Sequence, residues 1–260
     1  MVLTRDQIAA FRRHGYLAPL PALSGVAAAD YRARLEAFIA AGNDRAAMLK
    51  GLRTKAHIYC PLLLDLVHTP SILDQVADVL GADLLCRSVS VFLKEPGAST
   101  YTAWHQDAAY WLLDPPDVLT AWVALTESTI ENGALEVLPG SHRQPMLPHG
   151  PSGNPDNVLS RNQAISCAID PARTRPLLLG PGEMSLHHMG TAHYSGPNRS
   201  RARRIGVAIR FVASHVRNTG PLRDSALLVR GQDLYGNFDR EPGDLRASAA
   251  SAPCASPMAW

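Results

Sequence analysis

Cysteines, aromatic residues, long apolar runs and net charge are all in short supply in this 260-residue chain, and each shortage removes a class of protein. The four cysteines, Cys60, Cys86, Cys167 and Cys254, stand far apart with no CxxC pair, which argues against a zinc ribbon and a thioredoxin-like redox motif. They read as reduced thiols. No apolar run approaches the roughly 18 residues that a membrane span needs. The N-terminal MVLTRDQIAAFRRHGYL interrupts its apolar residues with charges, unlike the core of a secretory signal. A cytoplasmic protein with no membrane partner is the expectation. The formal net charge is only +2, and the basic residues are scattered. The nearest cluster, RSRARR at residues 199 to 204, reads as a solvated turn before a strand, so no nucleic-acid partner is expected.

What is present suits a packed globular protein: 46% hydrophobic and 18% charged residues, in a length that fits one domain. A single domain over residues 1–245 is expected, followed by a low-complexity, poorly ordered tail, RASAASAPCASPMAW, from about 246. Thr4 as cap, apolar Ile8, Ala9 and Phe11, and Gly15 as stop predict a first helix. A second is predicted over 27–41, closed by Gly42, and a third from Ser71 as cap to Gly81. After Gly81 the hydrophobic period changes from helical to alternating, as in an antiparallel β fold. In CRSVSVFLK, VLTAWVALT and RRIGVAIRFV one face is apolar throughout: Val89, Val91, Leu93; Leu119, Ala121, Val123, Leu125; Ile205, Val207, Ile209, Phe211. The other faces are mixed. A mixed face fits either water or the lining of a cavity inside a two-sheet barrel whose apolar outsides are covered by helices. Three leading helices with nothing else to cover favour the cavity. Residues 145 to 161, rich in Pro, Gly and Asn, read as a long surface loop that could act as a lid. No internal repeat is visible.

The chemistry is concentrated in TAWHQDAAYW, residues 102 to 111. In an extended strand positions i and i+2 share a face, so His105 and Asp107 can reach one point while Gln106 points away. HHMGTAHYSGPN supplies three candidates for a third ligand, and His193, before the rigid Gly-Pro-Asn turn, is the best placed. Two histidines and one carboxylate on one cation leave coordination positions open, the arrangement of non-haem Fe(II) oxygenases.

Taken together and in this order, WHQD, ENGALEVLPGSH (residues 131 to 142) and HYSGPNRSRARR (residues 193 to 204) resemble the phytanoyl-CoA dioxygenase family of Fe(II)- and 2-oxoglutarate-dependent oxygenases, over roughly residues 4 to 217. The resemblance implies a mainly β fold with flanking helices: a double-stranded β-helix, or jelly roll of the cupin-like barrel type, with N-terminal helices packed outside. It implies His105, Asp107 and His193 as iron ligands, 2-oxoglutarate as cosubstrate with O2, and ascorbate as a candidate reductant. Arg204, eleven residues after His193, matches the family's arginine for the far carboxylate of 2-oxoglutarate, a role suited to a planar guanidinium that stays charged when buried. Ser195 matches a hydroxyl aimed at the same carboxylate. Small Gly206 and Ala208 would leave the cosubstrate room. Trp111 and Trp122 match pocket-wall positions, with a place in the core as the alternative for one of them, and Lys55 matches a cosubstrate-contacting lysine of some members, with a solvated lysine as the alternative.

The turns at Asn132-Gly133 and Pro139-Gly140-Ser141 read as structural, in a β-hairpin that includes His142. His187 and His188 read as structural or pocket-edge groups, and Arg210 as half of an internal ion pair, with an acidic substrate as its other candidate partner. Relatives that halogenate replace the metal-binding carboxylate by a small residue; Asp107 is retained, so hydroxylation of a C–H bond of a small-molecule substrate is expected. Two alternatives use the same fold: a zinc hydrolase with an activated water, which would need neither Arg204 nor Ser195, and a non-catalytic small-molecule sensor. Substrate identity and oligomeric state leave no mark on the sequence; the segment ending SRNQ, 160 to 163, is the candidate substrate-facing cover.

Overall fold

The computed structural model describes residues 1–159 and 163–242. Ser160, Arg161 and Asn162 of the expected cover, and the expected tail from 246, lie outside those residues.

Six helices lead or flank the first strands: α1 (Arg5–His14), α2 (Gly25–Ala41), α3 (Arg45–Gly51), α4 (Ala56–Tyr59), α5 (Pro61–Val67) and α6 (Pro70–Leu80). Thr4 caps α1 through a reciprocal capping box with Gln7, and Gly15 ends it in the left-handed conformation at φ 80°. Helix α2 starts two residues earlier than its periodicity predicts, because the Ser24 hydroxyl accepts the Ala27 N–H. Ser71 is not the cap of α6: Thr69 occupies the cap and Pro70 the first turn, while the Ser71 hydroxyl donates to the Ala22 carbonyl. The short helices α3, α4 and α5 lie outside the sequence reading. In α5, Leu62, Leu63, Leu64, Leu66 and Val67 are all buried, so there is no polar stripe to betray a helical period.

Strands β1 (Tyr16–Pro21), β2 (Leu84–Lys94) and β3 (Thr102–His105) are followed by helix α7 (Ala108–Trp111). Next come β4 (Leu113–Asp114), β5 (Val118–Ala124), β6 (Leu135–Val137), β7 (His149–Pro151), β8 (Gln163–Ile165) and β9 (Arg175–Leu177). The last are β10 (Glu183–His188), β11 (His193–Ser195), β12 (Arg204–Ala213), β13 (Arg217–Asn218), β14 (Ser225–Arg230) and β15 (Asp239–Arg240). The larger sheet runs β1-β10-β5-β12-β2-β14-β15 and the smaller β3-β11-β6-β9. Together they make a jelly roll of two facing sheets. It is not a closed barrel: among the described residues no strand pairing joins the two sheets. Strand β1 was not read from the sequence; Pro19 and Pro21 mark YLAPLP as a turn, yet it forms the sheet edge, where a missing N–H is tolerated.

The alternation in the long strands is resolved against water: on the mixed faces Ser90, Lys94, Thr120, Trp122, Arg204 and Ala208 are buried. The apolar faces of β2, β5 and β12 share one core with Phe11, Leu35, Ile39, Ile72 and Val76 of the helices. Each fully buried Leu, Ile or Phe there contributes about 1.5–3 kcal/mol relative to exposure. The mixed faces turn inward toward the smaller sheet, where Trp122, Ala124, Ala208 and Leu179 form a separate cluster. Among the described residues of the expected loop, β7 and β8 pair as an antiparallel ribbon. That ribbon is fastened to the segment after β3, since the Leu147 N–H donates to Gln106 Oε1 and the Tyr110 hydroxyl to the Gln163 carbonyl.

Candidate functional site

His105 ends β3 and pairs in register with His193 on β11, which brings the two rings to 4.0 Å between centroids. Asp107 does not continue the strand. Its backbone is helical, φ −55° and ψ −33°, at the cap of α7, so the two side chains converge across a strand-to-helix corner rather than along one strand face. Gln106 does point away, and it secures that corner: its Nε2 donates to the Gly190 carbonyl at 2.7 Å and its backbone N–H to His149 Nε2 at 3.1 Å.

His105, Asp107 and His193 are buried, and one ligand atom from each lies within 4.8 Å of the others. The tautomers follow from the partners. His105 Nδ1 meets the Ala103 carbonyl at 2.9 Å and His193 Nδ1 the Thr191 carbonyl at 2.9 Å. A carbonyl only accepts, so each Nδ1 carries the proton and each Nε2 keeps its lone pair. Histidine ligands are oriented this way at metal centres, through the nitrogen that does not touch the metal. Burial, followed by the neighbouring His105, holds His193 well below the usual imidazole range, so it is neutral. Burial would raise Asp107, but the neighbouring His105, His193 and Arg210 outweigh it and hold the carboxyl far below its usual range. The Thr120 hydroxyl also faces Asp107 Oδ2, at 3.4 Å. Two imidazoles and one carboxylate, buried and aimed at one point, are a donor set that fits a divalent transition metal.

A second cluster lies further along the cavity. Arg204 is 2% exposed, and its Nη1 donates to the Gly133 carbonyl and to Ser195 Oγ. Its guanidinium carbon lies 5.3 Å from the Trp122 ring centre, and its Nε has no partner among the described residues. Burial lowers Arg204 to about 10, still charged at neutral pH. Gly206 does not make room for a cosubstrate, as its size suggested; a Cβ there would overlap the Trp122 ring. The small residue admits the tryptophan that backs the arginine.

Lys94 faces Arg204 directly in the β2–β12 register. Its ammonium donates to Ser195 Oγ at 2.8 Å, to the Ser195 carbonyl at 3.0 Å and to the Gly196 carbonyl. Burial and then the neighbouring Arg204 push it down to about 6. The sequence placed Lys94 on the mixed face of its strand and gave it no role, because its place opposite Arg204 is set by strand register. Lys55 is engaged elsewhere. Its ammonium meets Glu241 at 2.5 Å, Ser225 Oγ at 2.7 Å and Asp224 at 3.3 Å, and among the described residues it has no contact with the triad or Arg204.

The remaining candidates divide. Trp111 lies at the rim beneath two guanidinium groups, Arg87 at 5.5 Å and Arg210 at 5.6 Å. Arg210 forms no ion pair among the described residues; it donates to Ser90 Oγ at 2.7 Å. His187 lies 4.8 Å from the His193 ring, and its Nδ1 has no partner among the described residues, so it is not a satisfied structural group. His142 and His188 meet each other, ring centres 5.1 Å apart and tilted by 54°. Asn132 is structural, with its Oδ1 accepting the Thr129 N–H and its Nδ2 donating to the Glu127 carbonyl. The segment is not a hairpin, however, because β6 pairs with β11 and β9.

A two-sheet jelly roll holding a buried two-histidine, one-carboxylate cluster between its sheets defines the class to which comparison is made. The chain belongs to the phytanoyl-CoA dioxygenase (PhyH) family, whose pattern matches residues 11–206. It is 34% identical over 161 residues to a probable alpha-ketoglutarate-dependent hypophosphite dioxygenase of Stutzerimonas stutzeri, covering 61% of this chain and 55% of that protein. The matched stretches span about half the length of the curated relatives. Among solved structures, the non-haem monooxygenase ThoJ, in its apo form, is 35% identical with a TM-score of 0.80, over 91% of this chain and 88% of its own. EvdO2 of Micromonospora carbonacea var. aurantiaca, complexed with 2-oxoglutarate, is 25% identical with a TM-score of 0.66, over 92% and 98%.

Proposed function

We propose that this chain is an Fe(II)- and 2-oxoglutarate-dependent dioxygenase that hydroxylates a C–H bond of a small molecule and releases succinate and CO2. The observation that carries the reading is the convergence of His105, Asp107 and His193 with both Nε2 lone pairs unspent. Iron bound there would supply the O2 chemistry that side chains lack.

The chain's own groups do the rest. His105 and His193 are fixed by carbonyls at Nδ1 and turn Nε2 to the shared point. Asp107 is ionised at any ordinary pH and offers a carboxylate oxygen. Arg204 and Lys94 place two basic side chains on Ser195, with no acid paired to either among the described residues. This is a site for the far carboxylate of 2-oxoglutarate, gripped by charge-assisted hydrogen bonds. Trp122 backs the guanidinium and keeps water from it. Trp111 walls the opposite end. O2 as oxidant and ascorbate as a reductant of the resting iron belong to the same reading. So do a single catalytic unit over residues 1–245 and a cytoplasmic setting, which the unpaired thiols of Cys60, Cys86 and Cys167 support. No helix among the described residues is long and apolar enough to cross a membrane.

The test is anaerobic addition of Fe(II) and 2-oxoglutarate to the purified protein. A weak visible charge-transfer band is expected. Its absence, together with tight zinc binding, would instead support a hydrolase. A sensor would show the band and release no succinate with any substrate.

A further inference from the structure

Between the two sheets stands a cation, Arg210, that the dioxygenase reading leaves unused. Arg210 lies on the inner face of β12, six residues from Arg204 and about 20 Å away along the strand. It stands in a row across the larger sheet, His187–Thr120–Arg210–Ser88, with Thr120 hydrogen-bonded to Asp107. Arg210 is thus one strand from the metal-site carboxylate, at the end of the cavity away from Arg204.

The surroundings of Arg210 are built for charge. Between Arg210 and Phe211 the β2–β12 register slips, so that Ser88 and Cys86 are their partners and Arg87 is the extra residue. A bulge of this kind re-aims a side chain and is common beside active sites. Here it turns Arg87 onto Trp111, whose ring then lies near two guanidinium groups. Nearby acids are taken. Asp224 pairs with Arg87 at 2.8 Å and with Lys55 at 3.3 Å. Glu241 pairs with Lys55 and His57. Among the described residues Arg210 has the Ser90 hydroxyl and the Trp111 face, and no carboxylate in an ion pair. The acid whose charge bears most on it is Asp107, and a metal ion at the triad would claim that carboxylate. An arginine half-buried beside a metal site without a carboxylate of its own needs an anion from outside.

Building on the dioxygenase reading, we propose that the substrate carries an oxyanion group, a carboxylate or a phosphonate, and that Arg210 binds it, with Trp111 and Arg87 as the floor and flank of the subsite. The charged group is held to one side of the metal, and the carbon next to it faces the open coordination positions. Arg210 then decides which small molecules are accepted: neutral analogues of the same shape lose their strongest contact.

The test uses protein loaded with Fe(II) and 2-oxoglutarate under nitrogen, titrated by calorimetry with acetate, with methylphosphonate and with uncharged dimethyl methylphosphonate. At least one of the two anions is expected to bind wild type, which of them telling carboxylate from phosphonate, and the neutral ester at least tenfold more weakly. Arg210→Met should weaken the anion at least tenfold, while Fe(II) and 2-oxoglutarate affinities stay within twofold. Equal binding of anion and ester, no binding of either anion, or an Arg210→Met variant with wild-type anion affinity overturns the proposal. So does a loss of metal or 2-oxoglutarate affinity that matches the loss of the anion, since Arg210 would then serve Asp107 or the cosubstrate. If Arg210→Met does not fold, Arg210→Lys takes its place under the same criteria, because a lysine keeps the charge but loses the fork. A failure of the dioxygenase reading itself would show separately, as a wild type without the charge-transfer band.

Discussion

The two faces of β12 share a backbone and almost nothing else. Outward, Ile205, Val207, Ile209 and Phe211 are completely buried in the core they share with the helices. Inward, Arg204, Gly206, Ala208 and Arg210 carry two cations and two of the smallest side chains. The outer face can exchange one apolar group for another at modest cost, because its demands are volume and shape. The inner face cannot, because each position answers to one neighbour: Arg204 to Gly133 and Ser195, Gly206 to Trp122, Arg210 to Ser90 and Trp111. Stability and chemistry are thus divided between the two sides of one strand, and substitutions on each side should be read by different instruments.

The largest separation should come from outside β12 itself. Asp107→Ala removes a ligand atom and should weaken Fe(II) binding by more than about a hundredfold, since loss of a ligand's supporting partner alone costs 10–100-fold; metal titration checks this, and the midpoint of urea unfolding should barely move. Phe211→Ala should do the reverse, costing about 3–5 kcal/mol in denaturant unfolding with metal affinity unchanged in whatever fraction remains folded. Arg204→Ala should weaken 2-oxoglutarate by about 10- to 100-fold, the range for a charged hydrogen bond, while Fe(II) binding survives; parallel loss of both would show that the two clusters are one. Gly206→Ala sharpens the comparison most. A single methyl on the inner face collides with Trp122 and should cost about 1–3 kcal/mol as overpacking, with weakened 2-oxoglutarate binding as the tryptophan is pushed off Arg204.

The smallest effect is one of pH. Burial and the nearby Arg204 leave Lys94 at about 6 before the cosubstrate arrives. A carboxylate bound beside it favours the ammonium and raises that value. Between the two values binding takes up a proton, so 2-oxoglutarate affinity should fall as pH rises above about 6. Calorimetry in buffers of different ionisation enthalpy would detect the uptake. An affinity independent of pH from 6 to 8 would mean that Lys94 keeps one charge state throughout.

Much of this was legible in the sequence, and the exceptions have a common cause. Helix α1 was readable because its cap, period and stop are all local. The three alternating strands were readable because a period of two survives in any context, and the leading helices indicated what covered the apolar sides. The short helix α5 was lost because burial on all sides erases the period, and β1 because its prolines mimic a turn. In the site, His105, Asp107, His193, Ser195 and Arg204 were singled out through motif order, and the structure brings the first three together and sets Ser195 against Arg204. The corner that carries Asp107 was not singled out, since spacing alone cannot tell a strand from a strand that has just ended. Lys94 and Lys55 exchanged importance for a similar reason: which lysine meets Ser195 depends on strand pairing, here the register that sets Lys94 against Arg204.

Strand β1 has a further consequence. As an outermost strand it exposes one row of backbone groups, and such a row is where a second polypeptide would ordinarily attach by continuing the ladder. Pro19 and Pro21 have no hydrogen to donate and interrupt that row. The residues that disguised the strand therefore also protect it from pairing with other chains, and replacing Pro21 with valine should make the protein more prone to aggregate.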